Sequence, residues 1–162
     1  MNTKKTLAAG SLLMCVAAAA SSAQTATQTV TFQVDAINQV GVSGSPSLTV
    51  NSAVPGSAPT QVSSTGHTWA VTTNQTGAKI TASIASNMPS GLTLQATLGI
   101  GATGATSAGA KTLSTVAQDM VTGLTKVNAT GLTLGYTLDA TATAGVVTSS
   151  SRVVTFTITG GT

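Results

Sequence analysis

The chain has 162 residues, of which 6% are charged and 2% are aromatic. It has six basic and three acidic side chains. This length suits one domain with a single apolar core. Apart from the adjacent Lys4 and Lys5, the charged residues are few and far apart in the sequence, so the composition excludes the clustered lysines and arginines of a nucleic-acid-binding surface.

The N-terminus has the pattern of a signal peptide. Two lysines precede an apolar run from Leu7 to Ala20, and small residues ending at Ala23 follow it. Together these are the charged, apolar and cleavage regions of a secretory leader. A membrane-spanning helix needs about 20 apolar residues, which is more than this run supplies. We therefore expect export, with cleavage between Ala23 and Gln24.

Removal of the leader, residues 1–23, changes the chemistry of the chain that remains. The leader takes with it two lysines and Cys15, the one cysteine in the sequence. Residues 24–162 keep four basic side chains against three aspartates, a formal charge of +1, and no thiol. We therefore predict one domain over residues 24–162 that has no disulfide and no membrane attachment. We expect it to be secreted, either extracellular or on a bacterial cell surface.

Alternation with a period of two marks the first predicted strand, Thr29 to Ala36. Val30, Phe32 and Val34 fall on one face, and polar residues fall on the other. This alternation is typical of a half-buried strand. The extended pattern continues to Val42, where a Gly-Ser-Pro sequence breaks it.

The next segments predict three strands and a loop. Ser47 to Asn51 has the pattern of a short strand, and residues 52–66, with their prolines and glycines, have that of a loop. The segments 67–73 and 78–85 both alternate. Four residues that include a glycine join these two segments, so we predict a β-hairpin here.

The second half of the chain continues the pattern. Residues 92–98, 132–138 and 152–159 alternate as strands, and residues 112–123 are predicted to be mainly extended. Residues 99–111 consist largely of small residues and are predicted to form a mobile excursion. The whole pattern indicates an all-β fold. We predict a single antiparallel β-sandwich, immunoglobulin-like or jelly-roll in type, with about seven to nine strands after the signal peptide.

Side chains suited to catalysis or metal binding are scarce. After the leader there is one histidine, His67, with no glutamate and no cysteine, and the aspartates lie far apart. No Gly-x-Ser-x-Gly nucleophile motif occurs. We therefore predict no enzymatic activity, no cofactor and no metal site. Trp69 and Tyr136 lie in apolar alternation, so we predict that they are core residues and not platforms for sugar rings.

Two segments near opposite ends of the secreted chain are alike. VTFQV and VTFTI share a Val-Thr-Phe centre and the same alternation. Both can be ordinary strands of one domain, or the first can be donated to the sheet of the next subunit. The candidate donor residues are Val30, Phe32, Val34 and Ile37, and the matching residues of the C-terminal strand are Val154, Phe156 and Ile158.

A resemblance adds to this interpretation. The segments VTFQVDAINQVGVSG, ITASIASNMPSGLTL and TSAGAKTLSTVAQDMVTGL occur in this order. They are similar to segments of a family of bacterial secreted β-sandwich proteins rich in Thr, Ser and Ala, to which no activity is attached. More loosely, the weakly charged strands resemble those of pilus, spore-coat and biofilm-fibre subunits. Many chaperone-assembled pilins carry a disulfide, which residues 24–162 lack.

These observations lead to two expectations about function. The first is a secreted structural protein that associates with copies of itself. It would be a subunit of an extracellular fibre or pilus, a biofilm matrix or a cell-surface layer, assembled by donation of the N-terminal strand. The alternative is a monomeric surface adhesin, in which loops 52–66 and 99–111 bind a glycan or a protein.

Overall fold

The computed structural model describes residues 23–162. Of the predicted leader, only Ala23 therefore lies within the described residues. The chain divides into two compact units, of which the first ends at Gln33 and the second runs from Val34 to Thr162. The described residues of the first unit, 23–33, contain no helix and no strand.

Nine strands form within residues 34–162, and one short 3-10 turn covers Ala142–Ala144. The strands are β1 (Asn38–Ser43), β2 (Val62–Thr73), β3 (Ala78–Ile84), β4 (Leu92–Leu98), β5 (Thr106–Ser107), β6 (Lys111–Thr112), β7 (Gln118–Leu124), β8 (Val127–Ala140) and β9 (Val154–Thr159). Among residues 23–162 no helix has the length and apolar character needed to cross a lipid bilayer.

The strands form two sheets in which every pairing is antiparallel. The five-stranded sheet has the order β1-β2-β8-β4-β6, and the four-stranded sheet has the order β5-β7-β3-β9. The predicted all-β class and antiparallel pairing are therefore confirmed.

One apolar core joins side chains from both sheets. Trp69 and Leu98 of the five-stranded sheet and Ile80 and Met120 of the four-stranded sheet are all fully buried. Tyr136 is also buried. The prediction that Trp69 and Tyr136 are core residues is confirmed, because alternation along β2 and β8 turns both rings inward.

The predicted hairpin between residues 67–73 and 78–85 is wrong. Both segments are strands, but β2 pairs with β1 and β8, whereas β3 pairs with β7 and β9. Residues 74–77 therefore carry the chain from one sheet to the other. Alternation alone does not separate these cases, because a strand shows the same period whichever strand it pairs with.

Three loop and strand predictions also need correction. Residues 47–51 form no strand, and the predicted loop 52–66 ends earlier because β2 begins at Val62, opposite Leu138 of β8. The excursion 99–111 contains β5 and the start of β6 and buries Ala105. Pairing with distant strands sets these boundaries, and local composition does not show it.

The first predicted strand, Thr29–Ala36, does not form. The backbone of residues 23–37 has no strand assignment, and β1 begins at Asn38. A strand requires a neighbour for its N–H and C=O groups. Within residues 23–162 no strand pairs with this segment.

Candidate functional site

The segment Thr29–Ala36 presents its apolar side chains to solvent. Phe32 is 89% exposed, and Val30 and Val34 are 73% and 76% exposed. Single exposed apolar residues are common on protein surfaces, whereas several close together in the sequence are less common. The boundary between the two units falls inside this segment, after Gln33.

Asn74 fixes the point at which this segment joins β1. The Asn74 side-chain oxygen accepts a hydrogen bond from the Ile37 N–H at 2.8 Å, and its Nδ2 donates to the Asp35 C=O at 2.8 Å. The Asn74 backbone N–H donates to the Ile37 C=O at 3.3 Å. Ile37, the last candidate donor residue, is thus anchored beside the end of β2 and is 41% exposed.

The second half of the candidate site is β9, which confirms the predicted last strand. Val154, Phe156 and Ile158 are half-buried and pack against the core, while the threonines between them are exposed. β9 pairs with β3 on one side and is the last strand of its sheet. The apolar side chains of β9 therefore lie at the edge of the four-stranded sheet.

The hydrogen-bond pattern shows which backbone groups of β9 lie on that edge. The Ala85 N–H donates to the Val153 C=O at 3.1 Å, in register with the β3–β9 ladder. Hydrogen-bonded and non-bonded pairs alternate along an antiparallel ladder. Residues 155 and 157 therefore direct their backbone groups toward β3, while Val154, Phe156 and Ile158 direct theirs away from it. The same residues thus carry the inward side chains and the unpaired backbone groups.

A groove of about 720 Å³ lies near the start of β9. One wall is the segment 48–53, which follows β1 in the chain, and the other is the segment 144–150, which leads to β9. Its apolar lining includes Leu48, Met88 and Leu138. The groove is open, and polar and apolar groups contribute about equally to its lining.

His67 contacts side chains of its own strand, β2, and of the adjacent strand β8. Its Nε2 lies 2.8 Å from Ser64 Oγ, and its ring meets the edge of Tyr136 at a centroid distance of 6.2 Å. Burial raises the pKa of the Tyr136 hydroxyl, which keeps it neutral. Asp119 pairs with Lys79, and Asp139 accepts a hydrogen bond from Gln61.

Within residues 23–162 no three side chains among His, Cys, Asp and Glu lie close enough together to hold a metal ion. The Lys79–Asp119 pair is a solvent-exposed bridge of 3.0 Å. Exposed bridges of this kind contribute about 0–1 kcal/mol.

The predicted cleavage residues Ala23 and Gln24 are exposed and lie in neither a helix nor a strand. An exposed segment outside helices and strands is accessible to a signal peptidase. We expect the exported chain to begin at Gln24, which intact-mass measurement of secreted protein will show. Replacing Ala23 with phenylalanine should block cleavage, because the site accepts only small side chains. A wild-type mass that retains residues 1–23 would contradict the prediction.

Comparison with protein-family models, with curated proteins and with solved structures finds no match to this chain. The candidate site therefore rests on the residues described above.

The apolar segment and the β9 residues are predictable from the sequence, whereas the groove is not. Leu48 lies in the predicted strand Ser47–Asn51, Leu138 lies in the predicted strand 132–138, and Met88 lies between two predicted strands. These residues come from three separate parts of the chain. The one available signal is the presence of large apolar residues, Leu48 and Met88, within two residues of a proline.

Proposed function

We propose that this chain is a secreted structural protein that associates with copies of itself through the segment Thr29–Ala36. It would serve as a subunit of an extracellular fibre or pilus, a biofilm matrix or a cell-surface layer. In this proposal the two sheets form a single β-sandwich, immunoglobulin-like or jelly-roll in type. The observation that carries the proposal is the exposure of Val30, Phe32 and Val34 on a segment that belongs to neither sheet.

The chemistry of the segment supports association with another β-sheet. Its β-branched and aromatic residues favour a strand. Between Thr29 and Ala36 the one ionisable side chain is Asp35, so little charge would have to be desolvated. Addition of a strand to an exposed sheet edge is an established mode of recognition, in which the backbone supplies hydrogen bonds and alternate side chains supply specificity.

The assembly state of the secreted protein tests this proposal. The full chain, expressed with its own leader and collected after export, is expected to give high-mass species in light scattering and filaments in negative-stain images. Assembly should be insensitive to added salt, because the segment is nearly uncharged. Material that remains monomeric at high concentration would contradict the proposal.

A monomeric binding module is the second candidate, and the groove near β9 favours it. Its volume of about 720 Å³ lies within the range of small-molecule sites, about 300–1,000 Å³. The same secreted material separates the two candidates. A monomer that binds a surface glycan or protein, and loses binding when Leu48 is replaced by aspartate, would establish the second one.

A further inference from the structure

We propose that the acceptor in this assembly is the unpaired edge of β9, and that its occupant is the segment Thr29–Ala36 of a second copy. This inference rests on the proposed function and gives it a defined contact. The donated segment would place Val30, Phe32 and Val34 beside the half-buried side chains of β9. It would thereby add one strand to the four-stranded sheet. It would also supply partners for the unpaired backbone groups of β9.

Two of the four edge strands are too short to be the acceptor. The five-stranded sheet ends in β1 and β6, and the four-stranded sheet ends in β5 and β9. β5 and β6 have two residues each. An eight-residue segment spans about 26 Å at roughly 3.3 Å per residue, which two-residue strands cannot match. β1 and β9, with six residues each, remain.

The side chains favour β9 over β1. On β9 every residue at the unpaired edge is apolar and half-buried. On β1 the equivalent positions begin with Asn38, whose Nδ2 donates to Gln75 at 2.9 Å and whose Oδ1 accepts from Thr73 at 2.8 Å. A donated Val-Thr-Phe segment would meet this bonded amide at the first of these positions on β1, whereas the three equivalent positions on β9 are all apolar.

The exposed faces of the donor and the acceptor are compatible as well. Thr31 and Gln33 would lie beside Thr155 and Thr157, which are exposed on the outer face of β9. Cross-strand pairs of this kind stabilise a sheet by about 0.2–1 kcal/mol each. None of these side chains is charged, so no like charges meet. Parallel and antiparallel addition both satisfy this arrangement.

The groove gives the donated segment room beyond the start of β9. The wall 144–150 leads directly to β9, and Val153, between them, is 68% exposed. At the opposite end of β9 the space is filled, because a Cβ on Gly160 would clash with the side chains of Asn38 and Gln75. The part of the donor that exceeds β9 would therefore lie toward the groove, whose lining includes the apolar side chains of Leu48 and Met88.

The geometry also makes the contact heterologous. Each subunit offers one segment and one β9 edge, and these are different surfaces. Contacts of this kind extend into open filaments unless their rotation closes a ring. A linear assembly therefore follows from one type of contact.

Disulfide cross-linking tests the acceptor directly, because residues 24–162 contain no cysteine. A Thr31→Cys chain is refolded together with a Thr155→Cys chain or with a Thr157→Cys chain and is then oxidised. All three positions are exposed, so the folds should survive. Adjacent strands bring Cα atoms to about 4.5–5.5 Å, which a disulfide can bridge. We expect at least one pair to give a heterodimer in about tenfold excess over the control.

The control pairs Thr31→Cys with Gln39→Cys, which is exposed on the rival edge strand β1. Preferential linkage to Gln39→Cys, or assembly without linkage to β9, would overturn the inference and leave the proposed function standing. If the wild-type protein did not assemble at all, both the inference and the proposed function would be overturned. Because the two cysteines lie on different chains, a segment that folds back onto its own β9 would give no heterodimer and would also overturn the inference.

Discussion

Replacing Phe32 with serine is expected to raise the concentration at which the secreted protein assembles by about 10- to 100-fold. Burial of a large apolar side chain contributes about 1.5–3 kcal/mol, and each 1.4 kcal/mol corresponds to a factor of ten in affinity. Phe32 is 89% exposed in the single chain, so nearly all of this contribution would arise at the contact between copies. Sedimentation of assembled material over a concentration series measures the effect.

The same substitution should leave the fold unchanged, which separates assembly from stability. An exposed side chain adds little to the free energy of unfolding, and changes at such sites stay within about 0.5 kcal/mol. Thr31→Ser is the matched control, because it alters the adjacent polar position and removes one methyl group. An equal loss of assembly in Thr31→Ser and Phe32→Ser would contradict the role of the apolar face. A large fall in the stability of the single chain would show that Phe32 packs within its own subunit.

The strands that were predicted correctly are those in which apolar and polar side chains alternate regularly. Ile80, Ala82 and Ile84 alternate with polar residues, and β3 buries all three. β9 turns Phe156 inward for the same reason. Hydrophobic alternation depends only on neighbouring residues and on the two-residue period of a strand, so a single sequence is sufficient to show it.

The pairing of strands was not predictable in the same way. Residues 74–77 have the composition of a hairpin turn, yet they connect two different sheets. β2 pairs with β8, more than fifty residues away along the chain, as the register of Trp69 with Leu132 shows. Such pairings depend on the packing of the whole core, which local composition does not encode.

The segment Thr29–Ala36 illustrates the limit most clearly. Its alternation is as regular as that of β9, but the structure gives it no strand. The pattern of side chains indicates that the segment is suited to a sheet, but it does not indicate which sheet the segment joins. The sequence therefore predicts the candidate donor residues, whereas the edge of β9 and the groove beside it can be identified only from the fold.

Replacing Trp69 with alanine is expected to lower the free energy of unfolding by about 3–5 kcal/mol, the range for large-to-small aromatic changes in a core. Trp69 is 1% exposed. Its Nε1 donates to the Gly99 C=O at 2.9 Å, and the Gly99 N–H donates to the Thr133 C=O at 2.8 Å. The indole therefore fills the core and also binds the chain beyond β4. Denaturant unfolding of the single chain measures the change.

Two further variants separate the contributions of the ring and its N–H group. Trp69→Phe keeps most of the apolar ring but leaves the Gly99 carbonyl without this donor, so we expect a loss of about 1–3 kcal/mol. Val146→Ala, at a fully exposed position, should change stability by less than about 0.5 kcal/mol. If Trp69→Phe cost as much as Trp69→Ala, the hydrogen bond to Gly99 would account for the whole effect. If neither variant cost more than Val146→Ala, Trp69 would not anchor the core, and the two sheets would have to be held together by other residues.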